Sequence, residues 1–331
     1  MNHLSVAVVG LGKMGLVHAS ILNSMTNVEV VGICDKSHLL LKLAKKLFKK
    51  VQAVDKVEKF VNLDLNSVYV TTPIPSHYPI IKTLLSNRIA KNIFVEKTLT
   101  TDSFKSKELC ELVQNFEGIN MVGYMKRYAV TFAKAKEILL EGVLGKVVSF
   151  EAYAYSSDFA NVNSGSRNSK SRGGVLSDLG SHVIDLALWF FGDFKVVSSS
   201  LKSDIGGICK DSVDFTVNNS SLIGHFRVSW CIDNFRLPIF GLVVKGNNGV
   251  MEVNDYSLKL ELSAGKSFTW FKHDLGDNVN FLLGAPEYYR EDKAFINSIL
   301  TGCNAEPSFE MASKVDYIVD QVKKEAIKSG V

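Results

Sequence analysis

LSVAVVGLGKMGLVHASILNS, residues 4–24, is the stretch on which the fold turns. Its first half is a short valine-rich run closed by glycine, the pattern of a strand buried on both faces. From Met14 onward the apolar residues fall at helical spacing. Between the two, Gly10, Gly12 and Gly15 stand as G-x-G-x-x-G. That spacing alone is weak evidence; after a strand and at the opening of a helix it is the fingerprint of a dinucleotide site. Gly10 permits the tight turn, Gly12 lets the backbone approach a pyrophosphate, and Gly15 lets helix and strand pack closely. Lys13 and Met14 lie in the same loop, and the helix N-terminus offers N–H groups and a positive dipole end to the phosphates.

The next strand, VEVVGICD (28–35), ends in Asp35, about 20 residues further on, where a carboxylate hydrogen-bonds the adenine-ribose hydroxyls and repels a 2′-phosphate. The expected cofactor is therefore NAD. Lys36, a cation beside the ribose, leaves NADP open.

Outward from this unit the alternation continues. SVYVTTP (67–73), NIFVEK (92–97) and INMVGY (119–124) read as strands, with helical segments at 37–50, 76–87 and 102–115. Strands interleaved with helices imply βαβ units and a doubly wound parallel sheet, a Rossmann domain over residues 1–123. Beyond it the rhythm changes. A helix at 129–141 and another within GGVLSDLGSHVIDL (173–186) accompany strand-like segments at 146–155, 194–202, 211–218, 222–232, 239–252 and 257–272. Many are joined by turns such as GNNG (246–249), which argues for a large, mostly antiparallel open sheet in an α+β domain over 124–331. Helices at 287–300 and 309–328 close the chain, the last one free to pack back on the first domain.

Composition sets the outer limits. The 331 residues are 46% apolar and 22% charged, with a net charge of +4, which permits an anionic ligand but makes no case for nucleic acid. KLAKKLFKK (42–50) alternates lysines with apolar residues and reads as the wet face of an amphipathic helix. The five cysteines are scattered, with no CxxC and no clustered histidine, so a reducing compartment and no metal site are expected. The N-terminus has no basic n-region and no apolar run approaches about 18 residues, which makes cytoplasmic the default and excludes a membrane partner.

Later strands of such a sheet end over the cofactor. Thr71, Thr72 and Pro73 end one of them, Ser76 and His77 open the following helix, and Glu96–Lys97 end another. Taken singly, Thr-Pro is a common strand-to-helix turn and Glu-Lys a solvated pair. Lys97 differs by its place at the switch-point crevice, where its charge can lower an alcohol's pKa or steady a developing alkoxide.

In GGVLSDLGSHVIDL, an α-helix would set Asp178, His182 and Asp185 within an arc of about 60°, opposite a core stripe of Leu179, Val183, Leu186, Ala187 and Trp189. The bland reading makes Asp178 a first-turn acid behind a Ser177 cap and His182 a satisfied buried residue. The functional reading makes His182 the base for an alcohol proton. Gly173 and Gly174 allow close approach to a ligand, and Asp185 serves to orient His182 or to pack. Upstream, Arg167, Lys170 and Arg172 form either a solvated basic loop or a contact for an anionic substrate such as a sugar phosphate or nucleotide sugar.

In their order along about half of the chain, GLGKMG (10–15), TTPIPSH (71–77), EK (96–97), GYMKRY (123–128) and GGVLSDLGSHVIDL (173–186) resemble the Gfo/Idh/MocA family, that of glucose–fructose oxidoreductase and myo-inositol dehydrogenase. The resemblance implies hydride transfer between NAD(P) and a sugar, polyol or related alcohol. It also implies a C-terminal domain that binds substrate and forms homodimers or homotetramers through its sheet. Lys97 matches the lysine of the family's E-K-P motif, Asp178 and His182 its D-x-x-x-H pair, and Arg127 with Tyr128 the R-[FY] that starts the second domain. The cofactor residues so implied are Gly10, Gly12, Lys13, Met14, Gly15, Asp35, Lys36, Thr71, Thr72, Pro73, His77, Glu96 and Lys97. The catalytic set is Lys97, Asp178 and His182, with Arg127, Tyr128, Arg167 and Arg172 also facing substrate. One departure is Thr98, where most members carry proline. Alternatives are a regulator that binds the dinucleotide without turnover, glycoside cleavage through transient oxidation, and a non-sugar substrate such as biliverdin or a dihydrodiol.

Overall fold

Val6, Ala7 and Val8 have no exposure at the centre of β1 (Leu4–Val9), as a valine-rich strand with sheet on both sides and helices on both faces requires. The structure is a computed structural model that describes residues 3–48, 50–158, 173–202, 211–235, 237–278 and 285–328. The chain divides into two compact units, Met1–Tyr124 with Val279–Asp316, and Met125–Asn278 with Tyr317–Val331.

In the first unit β1 is followed by α1 (Lys13–Ser24), β2 (Val28–Cys34), α2 (His38–Leu47), β3 (Gln52–Val54), β4 (Leu65–Val70), α3 (His77–Ser86), β5 (Ala90–Glu96), α4 (Ser103–Gln114) and β6 (Asn120–Gly123). The six strands lie in the order β3-β2-β1-β4-β5-β6 and every pairing is parallel. The order reverses between β1 and β4, which makes the carboxyl ends of these strands the place where a ligand binds. β3 carries only three residues and no periodic signal, so the sequence pattern does not announce it. α2 stops at Leu47, short of the lysines that extended it to residue 50 in the sequence reading.

The second unit holds α5 (Val130–Leu140), β7 (Val147–Tyr155), α6 (Ser181–Phe191), β8 (Lys195–Lys202), β9 (Ser212–Asn218), β10 (Ile223–Ser229), β11 (Ile239–Gly246), β12 (Gly249–Asn254), β13 (Ser257–Leu262) and β14 (Ser267–Phe271). The segments at 239–252 and 257–272 are each two strands folded back on one another, the first at the GNNG turn. The sheet runs β14-β13-β12-β11-β7-β10-β9-β8 and is antiparallel except where β10 meets β7. Its residues alternate as a sheet with one covered face demands. Phe150, Ala152 and Ala154 of β7 and Phe226 and Val228 of β10 are buried, whereas Ile223 of β10 and Val250 of β12, on the opposite parity, are exposed.

Two further helices follow. α7 (Glu287–Thr301) falls in the first unit although it comes after the second unit's strands in the chain, and α8 (Phe309–Lys328) begins among the residues of the first. Among the described residues no helix is long and apolar enough to cross a membrane.

Candidate functional site

At two of its three glycines the loop is shaped by contacts that leave no room for a side chain. Gly10 turns at φ +96° under the end of β4, where a Cβ would lie 2.8 Å from Thr72 Cγ2. A Cβ on Gly15 would stand 1.8 Å from the Gly10 carbonyl oxygen, so α1 can seat against the turn only with glycine there. Gly12 caps α1, and a Cβ there would meet nothing within 4 Å. Internal packing therefore does not explain why Gly12 is bare; a ligand lying against the loop does, and the cradle fits a pyrophosphate. Lys13 is exposed and Met14 half-buried in this first turn.

Asp35, at the end of β2, ties the loop from below. Its Oδ2 accepts the Leu11 N–H at 2.6 Å and its Oδ1 the Ser37 N–H at 2.7 Å. Each carboxylate oxygen keeps acceptor capacity for a ribose hydroxyl beyond these bonds. Lys36 beside it is exposed.

At the end of β4, the buried Thr71 hydroxyl donates to the Gly10 carbonyl at 2.8 Å, so Thr71 braces the glycine turn. Thr72 is half-buried and Pro73 exposed. His77 opens α3 wholly buried, its Nε2 2.7 Å from the Thr72 carbonyl oxygen and its Nδ1 2.9 Å from that of Thr98. Burial lowers its pKa, and the two carbonyls only partly offset that. The ring thus joins the loop after β4 to the loop after β5. The latter carries half-buried Lys97, and its Lys97–Thr98 peptide bond is cis.

Glu96, buried at the end of β5, belongs to a cluster whose other members carry no sequence motif. Its Oε2 accepts the Lys97 N–H at 3.1 Å, and its Oε1 lies 3.0 Å from Nε2 of His18. His18 sits on α1 three residues beyond Gly15 and is fully buried; its Nδ1 meets Asp292 of α7 at 2.8 Å. Burial alone would lower the His18 pKa, but Asp292 and then Glu96 raise it well above the ordinary histidine range. Glu291 is buried next to them, and burial followed by the charge of Glu96 drives its pKa well above a normal carboxyl. The one sequence signal was a histidine in an otherwise apolar helix face; its partner Asp292 is 274 residues away.

In the second unit the quoted helix departs from a regular α-helix. Gly173 and Gly174 both have positive φ, and Leu176–Gly180 form a π turn before α6 begins at Ser181. A π turn takes more than four residues, so the arc drawn for a uniform α-helix does not apply. Ser177 lies inside this turn, where its carbonyl accepts the Ser181 hydroxyl at 2.7 Å, and is not a cap. Nor is the helix two-faced: residues 176–187 are all buried. Asp178 and His182 are among them at 8% and 4% exposure, the imidazole edge-on to the Phe240 ring at 5.0 Å between centroids.

Of the two options read from sequence for Asp185, to orient His182 or to pack, the structure shows the packing one. Arg127 grips it bidentately, Nε to Oδ2 at 2.8 Å and Nη2 to Oδ1 at 2.7 Å, with both side chains buried and the guanidinium over the Trp189 ring. Burial pushes the Asp185 carboxyl up, and Arg127 pulls it part of the way back. Arg127 thus reaches the site as a strut under α6. Beside it Lys126, also buried, pairs with Asp255 at 2.6 Å and lies over Phe240. Tyr128 is half-buried. Arg167 and Arg172 lie outside the described residues. Among the described residues no group of three or more His, Cys, Asp or Glu side chains is arranged so that it could hold a metal ion.

Comparison with known proteins agrees with this fold. The family model described as oxidoreductase family, NAD-binding Rossmann fold, matches residues 4–124, and that of the GFO/IDH/MocA C-terminal domain matches 132–252. A scyllo-inositol 2-dehydrogenase (NAD(+)) of Bacillus subtilis is 28% identical over 200 residues, 58% of this chain and 55% of its own length. A levoglucosan dehydrogenase of Pseudarthrobacter phenanthrenivorans is 28% identical over 144 residues, 42% of this chain and 36% of its own. The chain thus spans about half or less of the length of these curated relatives. A solved levoglucosan dehydrogenase in complex with NADH and levoglucosan shares the fold at a TM-score of 0.87 and 22% identity, over 99% of this chain and 98% of that one.

Proposed function

Because the chain belongs to the Gfo/Idh/MocA family of oxidoreductases, we propose that it is an NAD-dependent dehydrogenase acting on a hydroxyl of a sugar, polyol or nucleotide-linked sugar. The observation that carries this reading lies within one unit: the glycine cradle and Lys97 stand at the same carboxyl edge of the parallel sheet. Gly10–Gly15 hold the pyrophosphate, Asp35 the adenine ribose, and Thr72 with Pro73 line the nicotinamide side. The bound nicotinamide supplies the hydride acceptor or donor. Lys97 stabilises the alkoxide-like oxygen. His182 takes the hydroxyl proton in oxidation and returns it in reduction, and Asp178 holds substrate or sets the His182 tautomer. The names of the inositol and levoglucosan dehydrogenases support a cyclic polyol or anhydrosugar as the substrate class.

The test is NADH formation with scyllo-inositol, myo-inositol and levoglucosan. Lys97→Ala and His182→Ala are each expected to lower kcat/KM about a hundredfold or more. Full turnover in both variants sinks the assignment. A second reading, dinucleotide binding without turnover, has Thr98 in its favour, since it replaces the family's proline beside Lys97. Tight NADH binding with no exchange of hydride across the same panel decides for it.

The outer face of the second unit's sheet, with Ile223 and Val250 exposed on it, supports a homo-oligomer formed through that face. Sedimentation of an Ile223→Glu variant as a smaller species than the wild type is the expected outcome.

A further inference from the structure

His18 lies outside the glycine cradle, yet it joins the helix that follows the cradle to the end of β5. It stands on α1, the helix whose first turn is the glycine loop, and its two ring nitrogens face different elements: Nε2 faces Glu96 at the end of β5, and Nδ1 faces Asp292 on α7. Glu96 in turn holds the Lys97 main-chain N–H with its other oxygen. The enclosure is built for this ring, with Tyr69, Phe94 and Tyr288 packed around it at 5.7, 5.1 and 6.0 Å between centroids. All these residues belong to the first unit.

We propose that His18 is a positioning residue: by clamping Glu96 to the dinucleotide helix, it fixes the main chain from which Lys97 projects. The role given to Lys97 rests on the dehydrogenase reading above; the clamp itself does not. Asp292 holds the imidazole in register, and the charge of the pair of carboxylates keeps both ring nitrogens protonated, so that each donates. Seating of a pyrophosphate on α1 is then transmitted to Lys97 by two hydrogen bonds, with no movement of the sheet between them.

The two nitrogens can be tested separately. The amide nitrogen of a glutamine reaches the position of Nε2, whereas that of an asparagine reaches the position of Nδ1. His18→Gln should therefore preserve the clamp on Glu96, and His18→Asn should release it. The measurement is amide hydrogen exchange over residues 94–100 of the NADH-bound protein, read by mass spectrometry beside the melting temperature. Exchange at Lys97 is expected to rise at least about tenfold in His18→Asn and to stay within about threefold of wild type in His18→Gln. With whichever polyol the wild type oxidises, kcat should fall about tenfold to a hundredfold in the asparagine variant while KM for the polyol changes little.

Equal exchange in both variants, or greater exchange in the glutamine one, overturns the proposal, as does a lowered melting temperature with wild-type exchange at Lys97. If neither variant folds, Asp292→Asn replaces them: faster exchange at Lys97 supports the clamp and unchanged exchange removes it. Turnover surviving in Lys97→Ala would instead defeat the dehydrogenase assignment, and the exchange data would still decide the clamp.

Discussion

In the first unit one imidazole faces the carboxyls of Glu96 and Asp292, with Glu291 buried alongside, whereas in the second a guanidinium and a carboxylate meet one to one in a planar fork. Both arrangements are buried, yet they answer differently to their surroundings. Arg127 stays protonated at any pH the fold tolerates, so its fork to Asp185 is a fixed brace between the segment after β6 and α6. The carboxyls around His18 outnumber the cation, and burial followed by the charge of Glu96 pushes the Glu291 carboxyl well above its ordinary value. The first cluster can therefore gain and lose protons within the folded state, and the second cannot lose its cation. The difference matches location, since the brace lies under a helix and the titratable cluster lies one peptide away from Lys97.

Three variants sharpen the contrast. Arg127→Ala leaves the Asp185 carboxylate buried without its partner and is expected to lose about 3–5 kcal/mol in denaturant unfolding, the largest effect here. A loss below about 1 kcal/mol would mean that the fork is not a brace.

His18→Ala is expected to lose about 2 kcal/mol near neutral pH, less than Arg127→Ala because the freed carboxyls can take up protons. Its sign with pH is fixed. The folded pKa of His18 is raised above 6.5, so its contribution is fully present below that value and is lost as pH rises through the folded value. The gap between wild type and variant should close on going alkaline, while the gap for Arg127→Ala holds. A His18→Ala gap that widens with pH would show that the ring is buried neutral.

The third variant, Glu291→Gln, acts through the pH dependence alone. A carboxyl whose folded pKa is raised above 4.5 makes the native state hold the extra proton, so stability falls as pH rises from 4.5 through the folded value. The glutamine removes this slope, by up to about 1.4 kcal/mol per pH unit, and leaves stability at low pH nearly unchanged. An unaltered slope would place the neutral carboxyl elsewhere.

Much of the fold was legible because its signals are local. A valine-rich strand, a glycine loop and a helical period follow each other within residues 4–24, and each constrains the next. The candidate site was legible only in part. Gly10–Gly15, Asp35, Lys97 and His182 announce themselves by spacing or by type. The carboxylate that would pair with Arg127 did not, since nothing in the sequence sets residue 127 against 185 before the chain folds. The π turn at Leu176–Gly180 was equally hidden, because a glycine inside a helix pattern carries no mark of an extra residue per turn. His18 shows the same limit most plainly: a buried histidine acquires meaning only from neighbours that lie 78 and 274 positions along the chain.

The bare position at Gly12 separates two kinds of selection. At Gly15 any side chain collides with the chain's own backbone, so variants there are expected to vanish from the pool of folded protein. At Gly12 a methyl group meets nothing, and the fold itself has no objection to alanine. A mutational scan scored for abundance should pass over Gly12 and flag Gly15, while the same library scored for dinucleotide retention should flag both. Three residues apart on one loop, the first would be held to glycine by what the protein carries, the second by what the protein is.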